Sequence, residues 1–174
     1  WETVLIGTLG KGGQGAFALK VTDPASFSDV NANAEDIVMW EFTDADDADL
    51  GYTYGKAPIV RLHNGDWAAV ISNGYNNTED DSAYGGSVST SGNAVLYLVR
   101  LSDGQIIKKF DSGHGLEEDP SVADDAEPGD PARRPNGFAE PTPVDVDGDR
   151  ITDFIYVPDL FGNVFKIDVT SNAY

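Results

Sequence analysis

Asp153-Phe-Ile-Tyr-Val-Pro-Asp-Leu-Phe-Gly-Asn-Val-Phe-Lys-Ile-Asp-Val169 reads as two short strands folded about a turn. Asp153 to Val157 is dense in aromatic and β-branched residues, which suit a pleated, half-buried surface. Pro158 to Gly162 carries turn chemistry, with Pro fixing φ and Gly free to turn. Asn163 to Val169 then alternates apolar and polar side chains, the period of a strand with one face inward. The same plan recurs upstream. Thr3 to Leu9, a glycine turn, and Gly15 to Val21 form one copy. Trp67 to Gly74, a long insert, and Asn93 to Val99 form another. Ile37 to Phe42 and Gln105 to Phe110 add an outer strand to the first two copies. Ala57 to Leu62 and Thr142 to Asp145 add a leading strand to the second and third.

Four short strands per unit, repeated, is the plan of a β-propeller blade. The chain is therefore expected to be all-β. About three four-stranded blades fall at roughly 1–50, 51–115 and 136–174, with an acidic, Pro-rich insert at 116–135. Three blades do not close a ring, since propellers typically have ~4–8. The expectation is a single segment of a larger propeller. Little of the sequence reads as helix, with a helical turn at most around Asn31 to Asp36.

The loop between the third unit's first two strands is Asp145-Val-Asp-Gly-Asp-Arg-Ile-Thr-Asp153. Carboxylates stand at its positions 1, 3, 5 and 9. Calcium takes ~6–8 oxygen ligands, and EF-hand loops supply them from positions 1, 3, 5, a carbonyl at 7, and 9. The candidate ligands are Asp145, Asp147, Asp149, Ile151 through its carbonyl, and Asp153. Two EF-hand features differ: Arg150 replaces the Gly of position 6, and Tyr156 replaces the bidentate Glu of position 12. The flanks are strands, because Pro141 and Pro143 forbid a regular helix upstream. The alternative is a solvated Asp-Gly turn, in which four carboxylates would repel one another uncompensated. Magnesium fits less well, because it rarely uses an all-protein cage.

The chain has 174 residues, with 11 basic and 30 acidic ones, a net charge of −19. Nucleic acid is an unsuitable partner, since its binding rests on cationic contacts with phosphate. The absence of cysteine excludes disulfides, thiolate catalysis and zinc–thiolate sites. No apolar run approaches the ~18 residues of a membrane span, and no targeting signal is visible. Acidic runs at Asp44 to Asp49, Glu79 to Asp81 and Glu117 to Glu127 read mainly as solvated loops.

Other motifs read as structure. Gly10-Lys-Gly-Gly-Gln-Gly15 looks like a phosphate loop, but a strand follows where a helix N-terminus is needed, so a hairpin turn is expected. His63 and His114 stand alone in sequence, as loop residues. Ser82, Ser87, Ser89 and Ser91 lie in an insert without nucleophile-elbow context. Trp40, Trp67, Tyr97 and Phe165 are expected to pack between blades.

Several segments together resemble one family. Leu9-Gly-Lys-Gly-Gly-Gln-Gly15 with Phe17-Ala-Leu-Lys-Val-Thr22, Trp40-Glu-Phe-Thr43, Leu50 to Pro58, Ser72-Asn-Gly-Tyr-Asn76 and Ala94-Val-Leu-Tyr-Leu98 are similar to the PilY family of type IV pilus tip-associated adhesins. Glu140 to Asp149 and Asp159 to Asp168 continue the resemblance in the family's order. It implies a modified β-propeller with a calcium loop, acting with minor pilins or other pilus subunits in assembly, retraction control and adhesion. It also implies an extracellular place at the pilus tip or outer surface, reached through the periplasm, and a host or surface receptor. The Arg-Gly-Asp tripeptide of some relatives is missing here. Two other classes share features: a quinoprotein-type propeller oxidoreductase, and an integrin-like propeller. The first would draw cofactor ligands from several blades, whereas this calcium loop is local. The second would repeat the Asp-rich loop, which occurs once here.

Overall fold

The computed structural model describes residues 1–27, 34–80, 82–123 and 127–173. Among these residues ten strands form three antiparallel sheets. The first sheet holds β1 (Val4–Thr8), β2 (Gly15–Lys20) and β3 (Val38–Thr43) in sequence order. The second holds β4 (Ile59–Arg61), β5 (Trp67–Ser72), β6 (Val95–Arg100) and β7 (Ile106–Asp111). The third holds β8 (Thr142–Val144), β9 (Phe154–Pro158) and β10 (Val164–Asp168). The expected all-β, blade-like architecture is observed, and each expected strand lies within a residue or two of its place. Gly10–Gly12 is one short 3-10 turn inside the β1–β2 hairpin, so the phosphate-loop look is only a turn. Of the Asn31–Asp36 segment, Asn31 to Asn33 lie outside the described residues, and α1 (Ala34–Ile37) is a single turn.

The middle sheet explains why the strand pattern differs between units. Successive side chains of a strand face opposite sides. Ala68, Val70, Leu96 and Leu98 point to one side and join Ile155, Val157, Phe138 and Val169 of the third unit in one core. Ala69, Ile71, Val95, Tyr97 and Val99 point to the other and join Ala16, Ala18, Trp40 and Phe42 of the first unit. Both faces of β5 and β6 are thus buried, so these strands are almost continuously apolar. β9 and β10 bury one face only, and alternate: Tyr156 and Val164 lie exposed, Val164 at 70 %. Leu5 and Val38 are exposed likewise on the first sheet.

Three of the four aromatics expected between blades are there. Trp40 is buried and its Nε1 donates to the Leu101 carbonyl at 2.9 Å. Phe42 meets Tyr97 edge to face at 5.1 Å, and Phe165 meets Phe138 at 5.2 Å. Trp67 is the exception, being 52 % exposed at the start of β5. Its register partner is Arg61 at the end of β4, and it lines an open cavity with Val4 and Met39 of the first sheet.

Asparagines close the seams. Asn73 is fully buried; its Oδ1 accepts from the backbone of Val95 and Phe138, and its Nδ2 donates to the carbonyls of Asp49 and Asn93. Asn136 is equally buried, donating to Asp159 and the His114 carbonyl and accepting from the amides of Gly137 and Leu160. Backbone lies directly on backbone beside them. A Cβ on Gly137 would stand 1.6 Å from the Gly74 carbonyl oxygen, which no side chain tolerates.

The Asp44 to Asp49 run is not a solvated loop. Tyr97 donates to Asp47 at 3.0 Å, and Lys109 Nζ lies 2.7 Å from both Asp47 and Asp49. Ser89 also bonds Asp49. A lysine of the second unit therefore neutralises two carboxylates of the connection leaving the first. In the Glu117 to Glu127 run, Asp119 is buried and paired with Arg134 at 3.1 Å. Asp81, Asp124 and Asp125 of these runs lie outside the described residues.

Candidate metal centre

The Asp-rich loop joins β8 to β9, whose register pairs Val144 with Phe154. Its ends are fixed by the Asp153 amide donating to the Val144 carbonyl and by the Thr152 amide donating to the Arg61 carbonyl of the neighbouring sheet. Within the loop, carboxylates organise the backbone. Asp145 accepts from the amides of Gly148 at 2.7 Å and Arg150 at 2.8 Å. Asp147 accepts from Asp149, and Asp149 from Ile151. The backbone amides of Arg150 and then Gly148 hold the Asp145 carboxyl below the usual carboxylate range.

The turn passes through the left-handed region twice, at Gly148 with φ 83° and at Arg150 with φ 70°. Position 6 of the loop thus has the conformation that an EF-hand gives to glycine, although the residue is arginine. One carboxylate oxygen from each of Asp145, Asp147 and Asp149 falls within 4.8 Å of the others. That is close enough for all to face one ion. Among the described residues no lysine, arginine or histidine forms an ion pair with any of the three.

Asp153 stands differently. It is buried at the base of the loop, where one oxygen meets His63 Nε2 at 3.0 Å and the other accepts the Val146 amide at 2.8 Å. The structure thus brings His63, isolated in sequence, from the β4–β5 turn to the Asp-rich loop. Only the fold places residues 90 positions apart side by side, and no local motif announced it. Ile151 is half-buried. His114 packs edge to face on Phe165 at 5.9 Å. Ser89 bonds Asp49 and the Gly92 amide, and Ser82 bonds Asp80. No serine hydroxyl meets a histidine ring in the bonds among the described residues.

Three packed antiparallel sheets, joined by hairpin loops and side-to-side cores, define a β-propeller segment with an acidic inter-strand loop. The model of the PilY1 beta-propeller domain matches residues 1–173, and the chain belongs to that family. A type IV pilus biogenesis factor PilY1 homolog of Xylella fastidiosa is 40% identical over 171 residues, covering 98% of this chain and 10% of that protein. The type IV pilus biogenesis factor PilY1 of Pseudomonas aeruginosa strain UCBPP-PA14 is 37% identical over 173 residues, covering 99% of this chain and 12% of that protein. The crystal structure of the Pseudomonas aeruginosa PilY1 C-terminal domain matches with a TM-score of 0.69 and 35% identity, over 97% of this chain and 27% of that one. The chain therefore spans about a tenth of the length of the curated relatives it matches. Those relatives are type IV pilus biogenesis factors. Among the described residues no helix is long and apolar enough to cross a membrane.

Proposed function

We propose that this chain is a calcium-binding, non-enzymatic part of a type IV pilus tip-associated protein. On this reading it acts at the outer surface in pilus biogenesis, retraction control and adhesion, with minor pilins or other pilus subunits as partners. A host or surface receptor is the further partner. Its membership of the PilY1 family supports the pilus role.

The observation that carries the calcium reading is a contrast in charge. Asp47 and Asp49 have Lys109 between them. Asp145, Asp147 and Asp149 converge to within 4.8 Å of one another, and among the described residues none of them forms an ion pair with a protein cation. Like charges held together without compensation are costly, and a hard cation removes the cost. Asp145, Asp147, Asp149, the Ile151 carbonyl and Asp153 would hold calcium. Bound calcium would supply charge neutralisation and rigidity to the loop.

The test is thermal melting of chelator-treated protein on adding calcium. At a calcium concentration about 100 times the dissociation constant, binding adds ~2.7 kcal/mol of stability. An unchanged melting curve in millimolar calcium would overturn the metal reading.

A further inference from the structure

Among the described residues, His63 is the one histidine or cationic side chain that bonds a carboxylate of the acidic loop. Yet it belongs to the second unit and the loop to the third. Granting the calcium reading, on which this inference rests, we propose that His63 is a positioning residue for the loop. It fixes Asp153, and so couples occupancy of the loop to the seam between the second and third units.

The turn that carries His63 is held firmly. Leu62 is fully buried in the core that Val60 and Val70 share with Ile155, Val157 and Val169. The Gly65 amide closes the turn on the Leu62 carbonyl at 2.9 Å. Two bonds then cross from this end of β4 to consecutive residues of the third unit. The Arg61 carbonyl accepts the Thr152 amide at 2.9 Å. His63 Nε2 meets Asp153 Oδ1 at 3.0 Å, and because a carboxylate only accepts, the nitrogen is the donor. Asp153 is tied at three further points. Its Oδ2 accepts the Val146 amide at 2.8 Å, its own amide donates to the Val144 carbonyl, and its carbonyl accepts the Val169 amide. Val146 lies between Asp145 and Asp147. A shift of the Asp153 carboxylate therefore reaches the first two carboxylates of the loop through Val146.

Chemistry makes His63 a partner of Asp153, not of the ion. Calcium takes oxygen ligands, whereas imidazole suits transition metals, and Nε2 is already committed to Asp153. Without that bond, Oδ1 of a carboxylate only 8 % exposed loses the side-chain donor it has in this fold. A buried charge short of a hydrogen bond is costly and turns to find another partner. The 145–153 loop then turns with it. Groups placed behind metal ligands act in this way, by fixing the orientation of the ligands in front of them. The coupling is reciprocal: the factor by which His63 strengthens binding is the factor by which binding strengthens the contact between units.

The experiment pairs calorimetric titration of the intact protein with calcium and amide hydrogen exchange at Thr152. His63→Ala is expected to bind calcium at least about tenfold more weakly, within the ~10–100-fold that follows loss of such a supporting group. His63→Gln, whose amide can still donate, should recover most of that affinity. Asn64→Ala, in the same turn but with its side chain bonded to Asp66, should bind calcium as the natural protein does. Calcium should slow exchange at Thr152 in the natural protein, and slow it less in His63→Ala. If His63→Ala lowers the stability of chelated protein but leaves calcium affinity unchanged, the bond is structural only; the proposal falls and the calcium reading stands. Equal weakening by Asn64→Ala, or exchange at Thr152 indifferent to calcium, would overturn it in the same way. A natural protein that binds no calcium would instead overturn the calcium reading, and the proposal with it.

Discussion

Arg150 shows how one residue can carry a backbone conformation against its own preference. A left-handed φ costs an L-residue roughly 1–2 kcal/mol, and Arg150 adopts 70° at the tightest part of the loop. Arg150→Gly removes that strain but adds freedom to the unfolded chain worth ~0.5–1 kcal/mol. The net expectation is a gain of up to ~1 kcal/mol, read as a higher denaturation midpoint with unchanged slope. The carboxylates allow a sharper test. Asp149→Ala should abolish the calcium-dependent rise in melting temperature, whereas Asp46→Ala should leave it intact, since the Asp46 carboxylate accepts from Thr43 in a turn away from the loop. Equal loss in both would mean that the acidity acts diffusely. The spacing of Asp145, Asp147 and Asp149 was readable because their separation is local. The second role of Asp153, bonded to His63 and the Val146 amide, was not, because it is created by packing between units.

At the scale of elements, the joint between the first two sheets rests on Lys109. Desolvation alone would lower the pKa of its ammonium, but the hydrogen bonds it donates to Asp47 and Asp49 prevail and hold it above the ordinary 10.5. A raised folded-state pKa contributes stability that is complete below about 10.5 and lost as pH climbs through the folded value. Alkaline titration should therefore lower the melting temperature of the natural protein more than that of Lys109→Met. At neutral pH the same variant should be ~1–3 kcal/mol less stable. That is less than the ~3–5 kcal/mol for breaking a fully buried pair, because the lysine is about a third exposed. Strand placement was legible from alternation, and even the difference between the two-faced β5 and the one-faced β9 is visible in composition. The ion cluster was not: Asp44 to Asp49 resembles any solvated acidic run until Tyr97 and Lys109, 50 and 62 residues away from Asp47, are folded onto it.

At the scale of the molecule, two sheets each keep one face uncovered among the described residues. Leu5 and Val38 on the first and Tyr156 and Val164 on the third are the side chains that further blades would cover. The isolated segment is expected to self-associate, and light scattering should show mass rising with concentration. A concentration-independent monomer would oppose that view. Acid should act through buried carboxylates. Asp119 is held far below the usual range, first by hydrogen bonding from Arg134. Asp159 is also lowered, because bonds from Asn136 and Asn163 outweigh desolvation by burial. Their contribution is present above the unfolded value near 3.8 and lost as pH falls below it. The three-unit plan was written plainly in the sequence. What sits at its seams, two buried asparagines and bare main chain, carries no compositional signal.

Those asparagines also set a chemical clock. Asn73 and Asn136 each precede a glycine, as does Asn64 in the β4–β5 turn. Asn-Gly sequences hydrolyse to aspartate when the backbone is free to cyclise. In the native fold both seam amides are locked by their full set of bonds, while Asn64 lies in an exposed turn. Aspartate at 73 would direct lone pairs at the carbonyls of Asp49 and Asn93, which now accept from an amide. A molecule that ages while unfolded cannot return, so repeated heating should convert reversible melting into irreversible loss. Peptide mapping of folded, aged protein should find conversion at Asn64 well before either seam.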